Sequence, residues 1–582
     1  MNNKEIASLL KNIAVYKELS GDNPFKVRAF DYSSRVVESY PDDIAGIARK
    51  GKLTEIKGIG KSVEEVILEY LDKGSSSLLE TLQSAFPKDI LELLTIPGMG
   101  PKKVKAVWEK LDISTTGELE YACKENRLIS LEGFGTKSQE KILKGIEFKK
   151  QYRDRHLISE VLGIAKTVVI TLQTSGIFSR VTIAGSLRRG KTIFKDIDIV
   201  LVPDKDAETD TINKTLLNLA DKNSDTDGVI GAGHTKVSIR KKGIQIDFRI
   251  IQSESYPSAL QHFTGSKEHN TILRTRAKRM GLKMNEYGIF KGEEALSVKT
   301  EEEVYRRIGL SFIPPEIREG GSEVEAAEHG SIPELIDKSD ISGMIHAHSN
   351  YSDGAHSIEV LAKECIKQGY TYLCLSDHSI SAFYANGLSN DRLLSQITEI
   401  NHLNSEFSPF KIFCGIESDI LPGGSLDYPD EILRQLDFVI VSIHTKLAMN
   451  PEEATERLLN AIKNPYATML GHISGRLLLS RQGYLFDEEK ILSALSGEKV
   501  VLEHNCNPHR LDPDWPFMKK ASEMGVLVSL GPDAHSIEGF GDIEYGLIMA
   551  RKGWIKKDGL LNCMTCEEID EFFKRRKKEK GI

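Results

Sequence analysis

The chain has 582 residues, 40% of them hydrophobic and 28% charged, with a formal net charge of −8. That length exceeds what one hydrophobic core organises and predicts several domains, and no apolar run reaches the roughly 20 residues that cross a bilayer. The charge speaks weakly against a surface coated in nucleic acid, but it averages over domains and leaves room for local basic faces.

The opening stretch, MNNKEIASLLKN, is amphipathic and has no signal-peptide core, so a cytoplasmic protein is expected. Seven scattered cysteines form no disulfide framework, and Cys563 with Cys566 lacks the second pair of a zinc site and reads as structural. The first 150 residues have apolar positions recurring at three to four residues, which predicts helices without a heptad seam, and a monomer is expected.

A short phrase repeats in this helical part: Ile56-Lys-Gly-Ile-Gly-Lys61, Ile96-Pro-Gly-Met-Gly-Pro101 and, more loosely, Leu131-Glu-Gly-Phe-Gly-Thr136. Each copy precedes a helical stretch. Glycines on both sides of one apolar residue allow a tight turn from which amide N–H groups and a helix N-terminus face outward together, a seat for phosphate. Gly58, Gly60 and Lys61, then Gly98, Gly100 and Lys102, with Lys103 and Lys105 behind, are the expected DNA-backbone contacts, while the third copy could be only structural. The phrase resembles the helix-hairpin-helix motif, which grips DNA without reading its sequence.

Next come Ile183-Ala-Gly-Ser-Leu-Arg-Arg-Gly190 and the alternating strand Phe194-Lys-Asp-Ile-Asp-Ile-Val-Leu-Val202. Alternation puts Asp196 and Asp198 on one face. A later strand, Ile244–Ile250, carries Asp247 among apolar residues, where an unpaired charge would cost several kcal/mol and a shared cation would remove the difficulty. A D-x-D alone is common on exposed strands; three carboxylates suit two Mg²⁺ ions in nucleotidyl transfer, with Gly185, Ser186 and Arg189 holding a triphosphate. The set resembles the family X DNA polymerases, and the likeness extends through His262-Phe-Thr-Gly-Ser266 and Asn270, then Met284–Phe290 and Ile313–Glu319. The resemblance implies that His262, Phe263, Gly265 and Asn270 hold the sugar and base of a dNTP. Two departures stand out: Val66 occupies the family's lyase-lysine position, so deoxyribose-phosphate lyase activity is not expected, and His262 replaces a tyrosine, leaving ribonucleotide discrimination open.

From Glu319 to about Ser331 no period is visible, which reads as a linker. After residue 328 lie eleven of the fifteen histidines. Their first motif is Met344-Ile-His-Ala-His-Ser-Asn-Tyr-Ser-Asp-Gly354, which alone could be polar residues at a strand end. The same arrangement, an apolar strand followed at once by a metal-capable side chain, recurs at His378, Glu417, His444, His472, and Asp533 with His535. Helical stretches lie between, so parallel strands of a β/α barrel are predicted, with ligands converging at one end. These motifs resemble the PHP (polymerase and histidinol phosphatase) domain. The match implies nine ligands, His346, His348, Asp353, His378, Glu417, His444, His472, Asp533 and His535, holding up to three ions; mixed imidazole and carboxylate ligation fits Mn²⁺, Zn²⁺ or Fe²⁺. Arg476 in the matched G-H-x-x-G-R would help hold a substrate phosphate, whereas His356, His504 and His509 match no ligand.

The expected architecture is multidomain: helical DNA-binding residues 1–80 and fingers-like 81–150, an α+β nucleotidyltransferase palm over 151–255, a thumb-like part over 256–320, a linker over 321–337, and a distorted (β/α)7-like PHP barrel over 338–582. The whole resembles the bacterial-type family X polymerases. That implies gap filling on DNA with dNTPs, and a 3′→5′ exonuclease that extends to abasic sites. Two alternatives remain at the level of sequence: an untemplated nucleotidyltransferase, and a DNA-binding scaffold carrying a small-molecule phosphatase.

Overall fold

The computed structural model describes residues 3–40, 42–87, 90–124, 127–129, 131, 133–151, 154–220 and 228–582. The chain divides into two compact units, Met1–Arg153 and Asp154–Ile582.

The first unit is helical and has two cores, one built around Leu10, Ile13, Leu53, Val63 and Ile67 and the other around Leu93, Val104, Val107, Leu119 and Ile142. The three glycine phrases lead into helices α1 (Lys61–Lys73), α2 (Pro101–Leu111) and α3 (Thr136–Gln151). In each phrase the residue between the glycines is an anchor: Ile59, Met99 and Phe134 are at most 4% exposed. The third copy therefore packs as the other two do, although its Glu132 lies outside the described residues. Val66 is buried in the first core.

The second unit opens with a five-stranded sheet of order β1-β2-β5-β4-β3, formed by β1 (Phe178–Ile183), β2 (Asp196–Pro203), β3 (Gly228–Ala232), β4 (Lys236–Lys241) and β5 (Ile244–Ile250). β2 and β5 run parallel, and their register sets Asp198 directly opposite Asp247. Helices α4 (Tyr256–Thr264) and α5 (Lys267–Arg279) follow, then a small antiparallel sheet over 283–296.

The segment expected to be a linker is ordered instead. Helix α6 (Glu323–Glu328) puts Val324 and Ala327 into the core around Leu273, Tyr305 and Ile308. Buried Glu323 accepts a hydrogen bond from the His269 ring at 2.7 Å. A six-residue helix is too short to show a 3.6-residue period, and its acidic residues hid an inward face.

The last part is a seven-stranded parallel sheet in sequence order: β6 (Gly343–Ala347), β7 (Tyr372–Leu375), β8 (Lys411–Asp419), β9 (Phe438–Ser442), β10 (Met469–Leu470), β11 (Val501–Asn505) and β12 (Val528–Gly531). A parallel bridge between Ala347 and Ala534 joins its first edge to its last, so the sheet closes into a barrel. Helices such as α7 (Ile543–Lys552) and α8 (Cys566–Lys580) cover it. Cys563 ends the short turn before α8 and Cys566 begins α8. Among the described residues no helix is long and apolar enough to cross a membrane.

Candidate active sites: a palm carboxylate trio and a histidine-lined barrel mouth

In the palm, Asp196 and Asp198 share one face of β2, and Asp247 faces Asp198 from β5. Burial first, then the charges of Asp196 and Asp247, push the Asp198 carboxyl up to about 6. A buried carboxyl held up by two neighbouring carboxylates is a fitting place for a cation. Asp247, however, is not the unpaired charge expected. Lys236 on β4 lies 2.6 Å from its Oδ2, while Ser238 and Gln245 donate to Oδ1 at 2.7 and 3.0 Å. These partners come from cross-strand register, which the linear sequence does not display, and the palm trio is not among the described groups whose ligand atoms all lie within 4.8 Å of one another.

The turn before β2 begins at Gly185, whose φ is +61°. A Cβ there would stand 2.2 Å from Asp198 Oδ2, so glycine is what lets this turn press against the carboxylate. Gly185 and Ser186 open the helical turn Gly185–Arg188. Arg189 is largely buried: its guanidinium donates to the Thr264 carbonyl and lies 3.5 Å from Glu319. Arg188 is clamped by Glu301, at 2.9 and 2.6 Å, and by Thr264 at 2.7 Å. His262, Phe263, Gly265 and Asn270 lie together at the end of α4 and the start of α5, where Asn270 donates to the His262 carbonyl at 2.8 Å and accepts from Gln261 at 2.8 Å. Phe263 stacks under Arg249 at 4.9 Å.

The barrel gathers all nine residues expected there. Fully buried Glu417, at the end of β8, is the hub: His378 Nδ1, His444 Nε2 and His472 Nε2 stand 3.0, 3.2 and 3.0 Å from its oxygens, with His346 and His348 Nε2 at 3.6 and 3.7 Å. Asp533 lies 3.0 Å from His348 Nε2 and 3.6 Å from His346 Nε2, and Asp353 lies 3.3 Å from His535 Nε2. Three overlapping groups result: His348, Asp353, His378 and His535; His346, His348, Glu417 and Asp533; and His378, Glu417 and His444.

The backbone bends to make this cluster. His346 has φ +68° at a register shift in β6, and Asp533 has φ +53°. Left-handed backbone is uncommon outside glycine, and a bulge re-aims the side chain it carries.

The electrostatics fit cations. The buried atoms His346 Nε2, His348 Nδ1, Glu417 Oε2 and His472 Nδ1 have no hydrogen-bond partner. Burial, reinforced by His535 and His378, pulls His348 down to about 3, which leaves it neutral with a lone pair to give. Burial also opposes charge on His444, but Glu417 and Asp419 outweigh it and hold it up to about 10. Glu417 stays well below the usual carboxylate range, because surrounding imidazoles outweigh its burial. Protons on such histidines stand where metal ions would bind, since ligands must be deprotonated.

Two carboxylates that orient these histidines were missed from sequence. Asp419 accepts from His444 Nδ1 at 2.9 Å, and Glu503 on β11 pairs with His346 Nδ1. The signal for Glu503 was present, because Val500-Val-Leu-Glu503 ends an apolar strand as the other motifs do. Arg476 departs from expectation: it is spent on the backbone carbonyls of Arg510 and Leu511, while Arg510 reaches within 3.9 Å of Asp533. His504 Nδ1 donates to the Pro513 carbonyl at 2.9 Å, outside the cluster, and His509 is exposed.

In the first unit, Gly60 and Gly100 precede α1 and α2, and Lys61 and Lys102 are exposed in the first turns. Lys103 and Lys105 are taken by their own chain instead, through Ser138 at 2.6 Å and the Ser20 carbonyl at 3.1 Å.

A palm with facing aspartates beside a glycine turn, joined to a barrel whose mouth is lined by histidines and carboxylates, defines a phosphoryl-transfer protein with two separate centres. Comparison with known proteins gives the same division. Residues 1–76 match the helix-hairpin-helix domain, 90–147 the SAM-like helix-hairpin-helix tandem, 259–319 the DNA polymerase beta thumb and 345–499 the PHP domain. The chain is 39% identical to the DNA polymerase/3′-5′ exonuclease PolX of Bacillus subtilis over 99% of its own length and 100% of that protein's. Over 40% of its length the chain is 30% identical to a probable phosphatase of Thermoanaerobacter, covering 96% of that protein. A crystal structure of Leishmania infantum polymerase beta in a ternary complex matches 40% of the chain and 98% of its own at 21% identity and a TM-score of 0.26. The chain belongs to the PolX family, the family X DNA polymerases that carry a C-terminal PHP domain.

Proposed function

We propose that this protein fills short gaps in DNA from dNTPs and trims 3′ ends, working as a monomer in the cytoplasm. The observation that carries the reading is the presence, in one compact unit, of two unlike ligand sets: paired aspartates beside a glycine turn, and a buried histidine cluster.

At the palm, Asp196, Asp198 and Asp247 would hold two Mg²⁺, which supply charge neutralisation for the attacking and leaving oxygens of nucleotidyl transfer. Gly185 and Ser186 present backbone N–H groups to the triphosphate, and Arg189 adds positive charge. His262, Phe263, Gly265 and Asn270 form the wall for sugar and base, with Asn270 fixing the His262 backbone. Gly58, Gly60, Lys61, Gly98, Gly100 and Lys102 hold DNA phosphates at two helix N-termini. Val66 lies in a hydrophobic core without an amine, so no Schiff-base lyase step is assigned to it.

At the barrel, His346, His348, Asp353, His378, Glu417, His444, His472, Asp533 and His535 would hold up to three ions of the Mn²⁺, Zn²⁺ or Fe²⁺ type, which supply Lewis acidity for phosphodiester hydrolysis. Glu417 draws the imidazoles together, and Arg510 at the rim is placed to meet a substrate phosphate. Abasic-site cleavage would use the same residues.

The test is one labelled one-nucleotide gap assayed with and without dNTPs. Asp196→Ala with Asp198→Ala abolishes extension and leaves trimming, and His346→Ala with His348→Ala does the reverse. Extension at the wild-type rate in the first variant, or trimming that survives in the second, overturns the assignment. Likeness to a probable phosphatase favours a second reading, hydrolysis of small phosphomonoesters; faster turnover of such a compound than of a DNA 3′ end would establish it.

A further inference from the structure

Helix α7 belongs to the barrel, yet its last residue reaches the polymerase turn. Lys552 is 1% exposed, and its ammonium donates to the backbone carbonyls of Arg189 and Glu316, both at 3.0 Å, and to the Glu319 carboxylate. Those carbonyls come from two segments far apart in sequence, the G-S-L-R-R-G turn and Pro315–Ile317. One turn earlier on α7, Ile548 packs against the turn closely enough that a Cβ on Gly190 would fall 2.2 Å from it.

Glu319 is the shared counter-charge. Besides Lys552, it meets Lys191 at 2.8 Å and Arg189 Nε at 3.5 Å. Arg189 in turn holds the Thr264 carbonyl, and Ser266 N–H donates to the Arg318 carbonyl at 3.1 Å. The turn and the segment ending at Glu319 therefore meet at one ammonium group, and the sugar wall joins them through Arg189 and Ser266. Burial makes that charge expensive, and Lys552 is pulled down to about 8 despite Glu319.

We propose that Lys552, from the PHP barrel, is a positioning residue of the polymerase centre. It fixes the Arg189 backbone and neutralises Glu319, so that the Arg189 guanidinium keeps its bond to the Thr264 carbonyl and holds the turn against the sugar wall. Without it, Glu319 draws Arg189 to itself and the turn loses its brace. This inference rests on the polymerase reading above.

The experiment measures single-nucleotide gap filling in the full chain for wild type, Lys552→Met, Lys552→Gln and Arg551→Ala. Arg551 sits beside Lys552 on the same face of contact, pairing with Glu316 at 2.7 Å and Asp337 at 3.0 Å, but it does not touch the turn. The expected result is a dNTP KM raised about three- to tenfold in Lys552→Met, with kcat within twofold, 3′ trimming unchanged, a smaller rise in Lys552→Gln, and a wild-type KM in Arg551→Ala. A KM that does not move in folded Lys552→Met overturns the proposal. An equal rise in Arg551→Ala, or a parallel fall in trimming, overturns it too, because domain docking would then be the cause. If neither lysine variant folds, Lys552 is a stability residue and the proposal falls. Absence of templated addition by the wild type would instead sink the polymerase reading itself.

Discussion

Glu503 shows how much one side chain governs in the barrel. It is fully buried on β11, pairs with His346 Nδ1, and accepts from the His472 backbone N–H at 3.3 Å; Asn505, two residues on, donates to Asp533 at 3.1 Å. With Nδ1 engaged, His346 can turn only Nε2 toward Glu417 and Asp533. Outer partners of this kind typically change metal affinity or activity by roughly 10–100-fold. Glu503→Gln keeps the shape but removes the charge, so metal retained after dialysis against graded chelator should drop by about that factor while gap filling is unchanged. Retention equal to wild type would show that His346 is oriented by packing alone. Most of the cluster residues were legible because an apolar strand followed by a metal-capable side chain repeats, and the resemblance to the PHP domain supplied the rest, Asp353 in the turn after β6 among them. Glu503 follows the same rule, but nothing in a linear sequence separates a carboxylate that meets a cation from one that meets a histidine. Lys236 illustrates the same limit: its pairing with Asp247 depends on the β4–β5 register.

At the scale of elements, the three glycine phrases carried over best, because each encodes a complete local device. The glycines with φ of +107°, +94° and +82° at Gly58, Gly98 and Gly133 make the turn, and the apolar residue that follows each one pins it to a core. What the phrase did not reveal is which lysines face outward; helical geometry sends Lys103 and Lys105 back to Ser138 and Ser20. Lys61 and Lys102 are the exposed pair, each in the first turn where the free N–H groups and the helix dipole already favour an anion. Lys61→Ala with Lys102→Ala should weaken DNA binding equally for all sequences and flatten the plot of log affinity against log salt by about 0.9 for each phosphate no longer neutralised. A slope identical to wild type would place the backbone contacts elsewhere. Helix α6 is the counter-example among elements, since six residues cannot announce a period and their burial is decided by His269 and Leu273, more than fifty residues upstream.

Across the whole barrel, a metal held by the proposed cluster would do mechanical as well as chemical duty. Its ligands span residues 346 to 535, and two of them, His346 and Asp533, hold left-handed backbone beside the Ala347–Ala534 bridge where first and last strands meet. Such conformations typically cost about 1–3 kcal/mol each and persist only where surroundings impose them. A cation shared by His346, His348, Glu417 and Asp533 would tie both strands to β8 and offset that strain. Binding to the folded state alone stabilises it by about 2.7 kcal/mol at a hundredfold excess over Kd, which for a domain of this size is roughly 2–4 °C per kcal/mol. Chelation should therefore lower the melting temperature of the barrel transition by several degrees, and Mn²⁺ should restore it. The shift should vanish in His346→Ala with His348→Ala and persist in Asp196→Ala with Asp198→Ala. A shift that survives loss of the two histidines would mean that the ion responsible binds outside the cluster, and the closure of the barrel would then owe nothing to metal.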